Sequence, residues 1–149
     1  MINDNIKLVG NLDITVVDSS GNVKEKRKEK NLVVTAGLGY IASRMKDTSE
    51  TAMSHMAVGS DSTAAAAGDT DLGSILGVRE ALDSTTVAGA VTTYVSSFEA
   101  GEGTGAITEA GIFNASTSGT MLCRTVFATV NKAADDTMTI TWTITLSAS

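Results

Sequence analysis

The sequence has no proline, one cysteine, one histidine and few aromatic side chains among its 149 residues. The single cysteine, Cys123, cannot form an internal disulfide, so stability has to come from packing or from partner subunits. Catalytic pockets usually need aromatic walls and titratable groups, which the small side chains that dominate this chain do not provide. Small and β-branched residues are abundant instead, and they suit pleated sheets and close subunit contacts. We therefore expect no enzyme, no cofactor and no metal site.

Long apolar runs are also missing, since no stretch approaches the roughly 20 residues that a membrane helix needs. The first residues, Met1 to Asn5, lack the basic region and apolar stretch of a secretory signal. The net charge of -6 disfavours binding to nucleic acid phosphates. These absences predict synthesis in a reducing cytoplasm and partners that are neither a membrane nor a nucleic acid.

The most regular pattern is an alternation of apolar and polar residues, which predicts half-buried β-strands. It runs from Ile6 to Val16, turns in a polar segment at 18–22 and returns through Val23 to Lys30 as a long hairpin. In the last strand, every second residue from Met138 to Leu146 is apolar, and the residues between them are threonines. Further strands are predicted at 56–59, 91–98, 107–114 and 121–130.

One helix is predicted at 36–46, directly after the hairpin. From Ala36 to Met45 the apolar residues follow the helical period and predict one buried stripe, formed by Leu38, Ile41, Ala42 and Met45. Thr35 is the expected N-cap. The segment 71–76 also starts like a capped helix, although its glycine weakens that pattern. Together these elements predict a single all-β domain over 1–149, a β-sandwich or jelly-roll-like fold, with the N-terminal hairpin in 1–35, the short helix in 36–46 and the main sheet strands in 56–146.

Gly37-Leu38-Gly39-Tyr40-Ile41-Ala42 matches the glycine pattern of dinucleotide-binding sites. It follows an apolar strand, opens a helix and has Asp61 about twenty residues downstream. Such a site also needs a βαβ unit that places the pyrophosphate at the helix N-terminus. Because the downstream segments are hairpin-like, we favour the interpretation that both glycines ease a tight joint between strand and helix.

The histidine, the cysteine and a pair of aspartates complete the candidates for chemistry. His55 is expected in an exposed loop, and Cys123 is expected in a strand as a partly buried structural thiol. Asp69 and Asp71 are close enough in sequence to share a cation such as Ca²⁺, but the full D-x-D-x-D-G spacing is missing.

Three glutamates flank one predicted loop. Glu99, Glu102 and Glu109 provide too little to support a glycosidase pair. Glu109 and Arg124 lie on neighbouring predicted strands and can pair across the sheet. The ordinary interpretation of that pair is a surface ion pair, which contributes little to stability.

Five of the eleven basic residues fall within the seven positions from Lys24 to Lys30. In a strand, the four lysines of this run share one face and form a basic stripe. One interpretation is a charged edge strand that resists unwanted pairing. The other is a docking stripe for an acidic surface, because the rest of the chain is acidic and copies would carry patches of opposite sign. The candidate docking residues are Lys24, Lys26, Arg27, Lys28 and Lys30.

Five segments, taken in their order along the chain, resemble a family of small bacteriophage and prophage structural proteins. They carry the motifs N-L-V-V, A-V-G, I-T-E-A-G-I-F, M-L-x-R-x-V-F and I-T-W-T-I and span Asn31 to Gly37, Met56 to Ala64, Ile107 to Asn114, Gly119 to Phe127 and Thr139 to Ile144. The joint order of the motifs carries the resemblance, which covers nearly the whole chain from Asn31 onward.

The resemblance implies a virion component without catalytic residues. Long fibre proteins of this kind usually continue into further modules, so a single domain favours a capsid decoration (cement) protein or a neck or collar protein. We expect it to dock in multiple copies, as a homo-oligomer or on a symmetric lattice, on capsid, neck or tail proteins. Its location would be the virion, after synthesis in the cytoplasm of the bacterial host. The alternative is a tail-fibre or tail-tip module that binds a receptor or carbohydrate.

Overall fold

The computed structural model describes residues 5–46 and 50–148, and this part of the chain contains ten β-strands and one α-helix. The strands are β1 (Ile6–Val17), β2 (Val23–Lys30), β3 (Leu32–Val33), β4 (His55–Gly59), β5 (Glu80–Ala81), β6 (Ser84–Ala88), β7 (Val91–Phe98), β8 (Gly105–Phe113), β9 (Met121–Lys132) and β10 (Thr137–Ala148). The helix, α1, spans Thr35–Arg44. The strand predicted at 91–98 agrees with β7 at both ends.

The strands form two five-stranded sheets, whose inner faces share one hydrophobic core. Sheet A has the order β2-β1-β10-β7-β6, and sheet B has the order β3-β9-β8-β4-β5. Every strand pair within the described ranges is antiparallel. The predicted all-β sandwich with one short helix after the first hairpin is therefore confirmed. The same pairing leaves the described chain without the parallel βαβ unit that dinucleotide binding requires.

The core is built by the predicted alternation along the strands. In β10 the apolar residues Met138, Ile140 and Trp142 are fully buried, and the threonines between them are partly exposed. Trp142 lies opposite Leu12 of β1 and Tyr94 of β7, so the centre of sheet A presents large side chains to sheet B. Full burial of one such side chain stabilises the fold by roughly 1.5–3 kcal/mol.

The N-terminal hairpin is part of the sandwich and not a separate unit. β1 pairs with β10 along its whole length, and the turn at 18–22 returns the chain into β2 at the sheet edge. Pairing continues through Gly10, because a glycine there leaves room for the side chain of Asn31. Residues 1–4 of the predicted hairpin segment lie outside the described residues.

Helix α1 buries a different side from the one predicted. Its buried residues are Gly37 and Tyr40, and of the predicted stripe only Ile41 packs against the core. Leu38 is 47% exposed and Met45, just after the helix, is 89% exposed. The helix approaches β9 so closely at Gly37 that any side chain there would collide with the carbonyl oxygen of Leu122. This close contact, and not the apolar stripe, decides which side of the helix faces the sheet.

Other local predictions also differ from the structure. The N-cap of α1 is Val34, not Thr35, and no side chain caps the helix. The segment 71–76 is irregular and not helical. The sequence pattern misses β5 and β6, which are short and lack apolar alternation.

Within the described ranges, no helix is long and apolar enough to cross a membrane.

Replacing Gly37 by alanine tests the contact between α1 and β9. The added methyl group would meet the Leu122 carbonyl, so the free energy of unfolding should fall by about 1–3 kcal/mol. Gly39 is the matched control, because open space surrounds it in the same helix, and alanine there should raise that free energy by about 0.5–1 kcal/mol. Urea denaturation followed by circular dichroism measures both variants. Equal effects of the two substitutions would contradict the contact.

Candidate functional site

The outer surface of sheet A is a broad face of short side chains, which we call the threonine face. Strand register places residues of four strands in rows across it, such as Asp13, Thr141, Val95 and Ser84. β10, β7 and β6 contribute no charged residue to it, and its members are partly or fully exposed. The members are Asn11, Asp13, Thr15, Ser84, Thr86, Thr93, Val95, Ser97, Thr139, Thr141 and Thr143. The predicted row of threonines therefore faces away from the core.

A row of lysines borders the threonine face along the edge strand β2. Lys26, Lys28 and Lys30 are exposed and pair in register with threonine-face residues of β1. The Nζ of Lys28 lies 3.7 Å from Oδ1 of Asp13, and the Lys28 side chain is 91% exposed. An ion pair so exposed contributes little to stability. The basic stripe thus lies on the surface, at one border of a face on which β10, β7 and β6 carry no charge.

Arg27 lies on the other face of β2 from Lys26, Lys28 and Lys30, so it is not a docking residue. Its Nη1 donates to the carbonyl of Ala128 at 2.9 Å, and its Nη2 donates to the carbonyl of Thr129 at 3.3 Å. Its Nε and Nη2 also donate to the carboxylate of Glu25. Because Ala128 and Thr129 belong to β9, Arg27 ties the edge of sheet A to sheet B and is not free for a partner.

Lys24 also has a structural partner. Its ammonium group pairs with the carboxylate of Asp136, which is buried in the turn before β10. That carboxylate accepts a second hydrogen bond, from the backbone N–H of Ala133 at 2.8 Å. The hydrogen bonds from Lys24 and Ala133 lower the pKa of Asp136. The candidate docking cations are therefore narrowed to Lys26, Lys28 and Lys30.

Glu109 and Arg124 pair across β8 and β9 as predicted, but the pair is buried and not on the surface. Glu109 is 0% exposed and Arg124 is 3% exposed. The Nε of Arg124 donates to Oε2 of Glu109 at 2.9 Å. A buried ion pair is tolerated only where its other donors and acceptors are satisfied. We call the pair and its further partners the Glu109–Arg124 network.

The further partners of Glu109 are backbone amides of the segment 60–79. Its carboxylate accepts hydrogen bonds from the N–H of Gly73 at 3.0 Å, of Ser74 at 2.8 Å and of Asp61 at 3.3 Å. These amides point inward to the carboxylate, which explains why the segment 71–76 is irregular and not helical. One carboxylate therefore organises two stretches of an irregular segment.

The further partners of Arg124 come from the same segment. Its Nη1 donates to the carboxylate of Asp69 at 2.9 Å, and its Nη2 donates to the carbonyl of Thr63 at 3.1 Å. Burial opposes the charge on Arg124, but the hydrogen bonds that it donates to Glu109 and Asp69 outweigh this effect and raise the pKa of the guanidinium. The guanidinium is thus held charged by two carboxylates.

A second small core lies on the outer side of sheet B. Ala57, Phe113 and Met121 are fully buried there, with Leu72 of the segment 60–79 packed against them. The guanidinium of Arg79 lies 3.6 Å from the centre of the Phe113 ring, a cation–π contact. Sheet B is therefore covered on both faces, whereas the threonine face of sheet A is open.

The remaining sequence candidates have structural surroundings. His55 lies half-buried in β4, not in an exposed loop, with its Nδ1 2.7 Å from the Ser54 hydroxyl. Cys123 lies in β9 as predicted but is fully buried and not partly buried, and burial raises the pKa of its thiol. Asp69 and Asp71 each accept a hydrogen bond from an arginine side chain and share no common site. Among residues 5–46 and 50–148, no three His, Cys, Asp or Glu side chains group as metal ligands.

The sequence gives no sign of a groove between β6 and α1. The groove encloses about 440 Å³ and is lined mainly by apolar side chains. Its polar lining residues are Tyr40, Tyr94 and Arg44, together with the threonines Thr85 and Thr92 of the sheet. Its walls come from α1, β6, β7, β9, β10 and the residues before β4, so no local motif marks it.

No family model matches the chain, and no curated protein or solved structure matches it either. The function is therefore inferred from the sequence pattern and from two surfaces. One is the threonine face with its lysine border, and the other is the groove between β6 and α1.

Replacing Glu109 by glutamine should break the Glu109–Arg124 network. The buried guanidinium of Arg124 would lose a full counter-charge, so the free energy of unfolding should fall by about 3–5 kcal/mol. Glu99→Gln is the matched control, because Glu99 is exposed, and it should change that free energy by less than about 0.5 kcal/mol. Urea denaturation gives both values, and limited proteolysis should show faster cleavage within 60–79 only in the first variant. Similar stability of the two variants would refute the role of the network.

Replacing Lys24 by glutamine should lower the stability by an amount that depends on pH. Because the folded-state pKa of Asp136 is lowered, the pair stabilises the fold above the usual aspartate pKa of about 3.9. This contribution is lost as the pH falls through the folded-state value. The variant should therefore have a lower urea midpoint near neutral pH, and the difference should shrink under strongly acidic conditions. Lys26→Gln is the control, because it removes an exposed lysine, and its urea midpoint should differ little from that of the unchanged protein at either pH. A loss of stability in Lys24→Gln that does not vary with pH would contradict the pairing of Lys24 with Asp136.

Proposed function

We propose that this protein is a structural component of a bacteriophage particle, where multiple copies dock through the threonine face. A capsid decoration protein or a neck or collar protein fits this proposal best, with capsid, neck or tail proteins as partners. The carrying observation is that the threonine face is open, whereas the outer face of sheet B is covered by the segment 60–79.

The composition of the threonine face supports docking. The central area of protein interfaces is depleted of charged residues, and charges concentrate at the rim. Here β10, β7 and β6 carry no charge, and Lys26, Lys28 and Lys30 stand at one border. Rim charges steer association and set register more than they add affinity. An acidic partner surface opposite β2 would complement this border.

The segments that carry the phage resemblance support the same proposal. The segment 107–114 overlaps β8 and the segment 119–127 overlaps β9, and these strands provide Glu109 and Arg124. The segment 139–144 lies in β10, at the centre of sheet A. The resembling residues are therefore those that build the sandwich, which is consistent with a shared structural role.

The alternative of a carbohydrate-binding tip module has less support. Such sites stack sugar rings on exposed aromatic side chains. All six aromatic residues of the chain lie in the described ranges, and each is less than a tenth exposed: Tyr40, Tyr94, Phe98, Phe113, Phe127 and Trp142. Binding to a glycan array would favour the alternative over the docking proposal.

Mass spectrometry of purified particles from the phage lysate that carries this gene tests the proposal. We expect the chain in the particle, with hundreds of copies for a capsid decoration protein and about a dozen or fewer for a neck or collar protein. Absence of the chain from the particles would overturn the proposal.

Reversing the lysine border tests how docking is achieved. The triple variant Lys26→Glu, Lys28→Glu, Lys30→Glu should keep its thermal midpoint but occupy particles about tenfold less or lower still. A tenfold loss corresponds to about 1.4 kcal/mol of binding free energy. Replacing the same three residues by arginine keeps the charge and should keep occupancy. Both variants preserve a charged edge strand, so edge protection is unchanged. Full occupancy by the glutamate variant would show that the lysines only protect the edge.

A further inference from the structure

The two edges of sheet A differ in a way that points to a second binding surface. The edge strand β2 is dominated by Lys, Glu and Arg, whereas β6 reads Ser-Thr-Thr-Val-Ala. All five residues of β6 are exposed, and Val87 is 71% exposed. β7 pairs with one side of β6, and no strand in 5–46 or 50–148 pairs with its other side. Charged residues usually protect such an edge, and they are missing from β6.

The groove lies directly beneath this open edge. Thr85 and Val87 of β6 pair in register with Tyr94 and Thr92 of β7, and all four side chains line the groove. Its volume of about 440 Å³ is within the range of about 300–1,000 Å³ that is typical of ligand sites. A strand that paired with β6 would project every second side chain toward this groove.

Two tyrosines and an arginine give the groove hydrogen-bond donors that have spare capacity among the described residues. Tyr40 is 8% exposed and Tyr94 is 7% exposed, and neither hydroxyl hydrogen-bonds to a residue of the described ranges. Burial raises the pKa of the Tyr94 hydroxyl, so it remains a neutral donor. Arg44 donates through Nη1 to the backbone carbonyl of Glu50 at 3.1 Å, which leaves Nε and Nη2 without an acceptor in that part of the chain. Two phenols and a guanidinium together suit a carboxylate.

We propose that β6 binds an extended segment of a partner protein by strand addition, with an apolar side chain of that segment in the groove and an acidic side chain at Arg44, Tyr40 and Tyr94. Main-chain hydrogen bonds to β6 would supply much of the affinity, and the groove would supply specificity. The proposal does not depend on the phage assignment, because the partner is defined by its chemistry alone.

A second copy of the chain fits this surface less well. Two β6 strands paired with each other could place Val87 of one copy over the groove of the other. β6 contains no acidic residue, however, and the carboxylate of Asp83 just before it already accepts a hydrogen bond from Ser97, so this pairing brings no free carboxylate to Arg44. Charge complementarity therefore favours an acidic segment of a different protein.

The test uses a labelled peptide, Thr-Leu-Thr-Leu-Thr-Glu-Thr, and fluorescence anisotropy with the full chain. Two matched peptides replace its glutamate by lysine or carry N-methyl groups that block strand pairing. We expect the glutamate peptide to bind several-fold more tightly than the lysine peptide, since an exposed ion pair contributes about 0.2–1 kcal/mol. The N-methylated peptide should not bind. Hydrogen exchange should show protection of β6 amides by the glutamate peptide.

Three protein variants complete the test, each first checked for an unchanged thermal midpoint. Val87→Lys should weaken binding about tenfold or more, the equivalent of about 1.4 kcal/mol. Thr86→Lys is its matched control, because it adds the same charge to the same strand on the opposite face, and it should bind normally. Arg44→Gln should remove the preference for glutamate over lysine. These readouts do not involve particles, so either proposal can fail without the other.

Three results would overturn the proposal. The first is no binding of the glutamate peptide, and the second is equal binding to the Val87→Lys and Thr86→Lys variants. The third is a dimer of the free protein, detected by sedimentation velocity, that Val87→Lys dissociates, because a second copy would then be the occupant.

Discussion

The buried pairing of Glu109 with Arg124 is the interaction on which the arrangement of the molecule depends. Both groups lie where a lone charge is strongly destabilising and where a hydrogen bond is worth more than in water. Each therefore needs a nearly complete set of partners, and the structure supplies them from the segment 60–79. A segment rich in alanine, serine and glycine, with little apolar surface of its own, is in this way fixed as a third layer over sheet B.

The third layer makes the two sides of the sandwich unlike each other. Sheet B has apolar side chains on both faces, and only the inner face of sheet A is apolar. The outer face of sheet A consists of β-branched and short side chains, which have little rotamer freedom to lose when another surface covers them. Such a face loses little entropy when a partner binds, while its hydroxyls remain well solvated in the free protein. Docking and solubility are thus compatible on one surface.

The sequence predicts the strands well because most of them bury one face, and burial of one face requires apolar and polar residues to alternate along the strand. β7 and the buried side of β10 around Trp142 follow directly from it. The prediction fails where a contact is decided by backbone approach or by a distant segment. The orientation of α1 depends on the space at Gly37, and the burial of Glu109 depends on residues 35 to 48 positions away in sequence. Alternation along β2 predicts that Arg27 lies on the other face of the strand from the lysines. It does not predict that Arg27 binds the backbone carbonyls of β9, which only the structure shows.

The strand β6 was unpredictable for a related reason, since an exposed run of Ser, Thr, Val and Ala becomes a strand only beside β7. Its contrast with β2 has a consequence for how far sheet A can grow. A sheet with two receptive edges can extend without limit from molecule to molecule, which leads to fibres. In this molecule the far edge strand, β2, is rich in charged side chains, which would oppose the pairing of a second strand there. If a partner strand adds to β6 as proposed, sheet A would be a terminating unit, which accepts one neighbour and offers no second receptive edge.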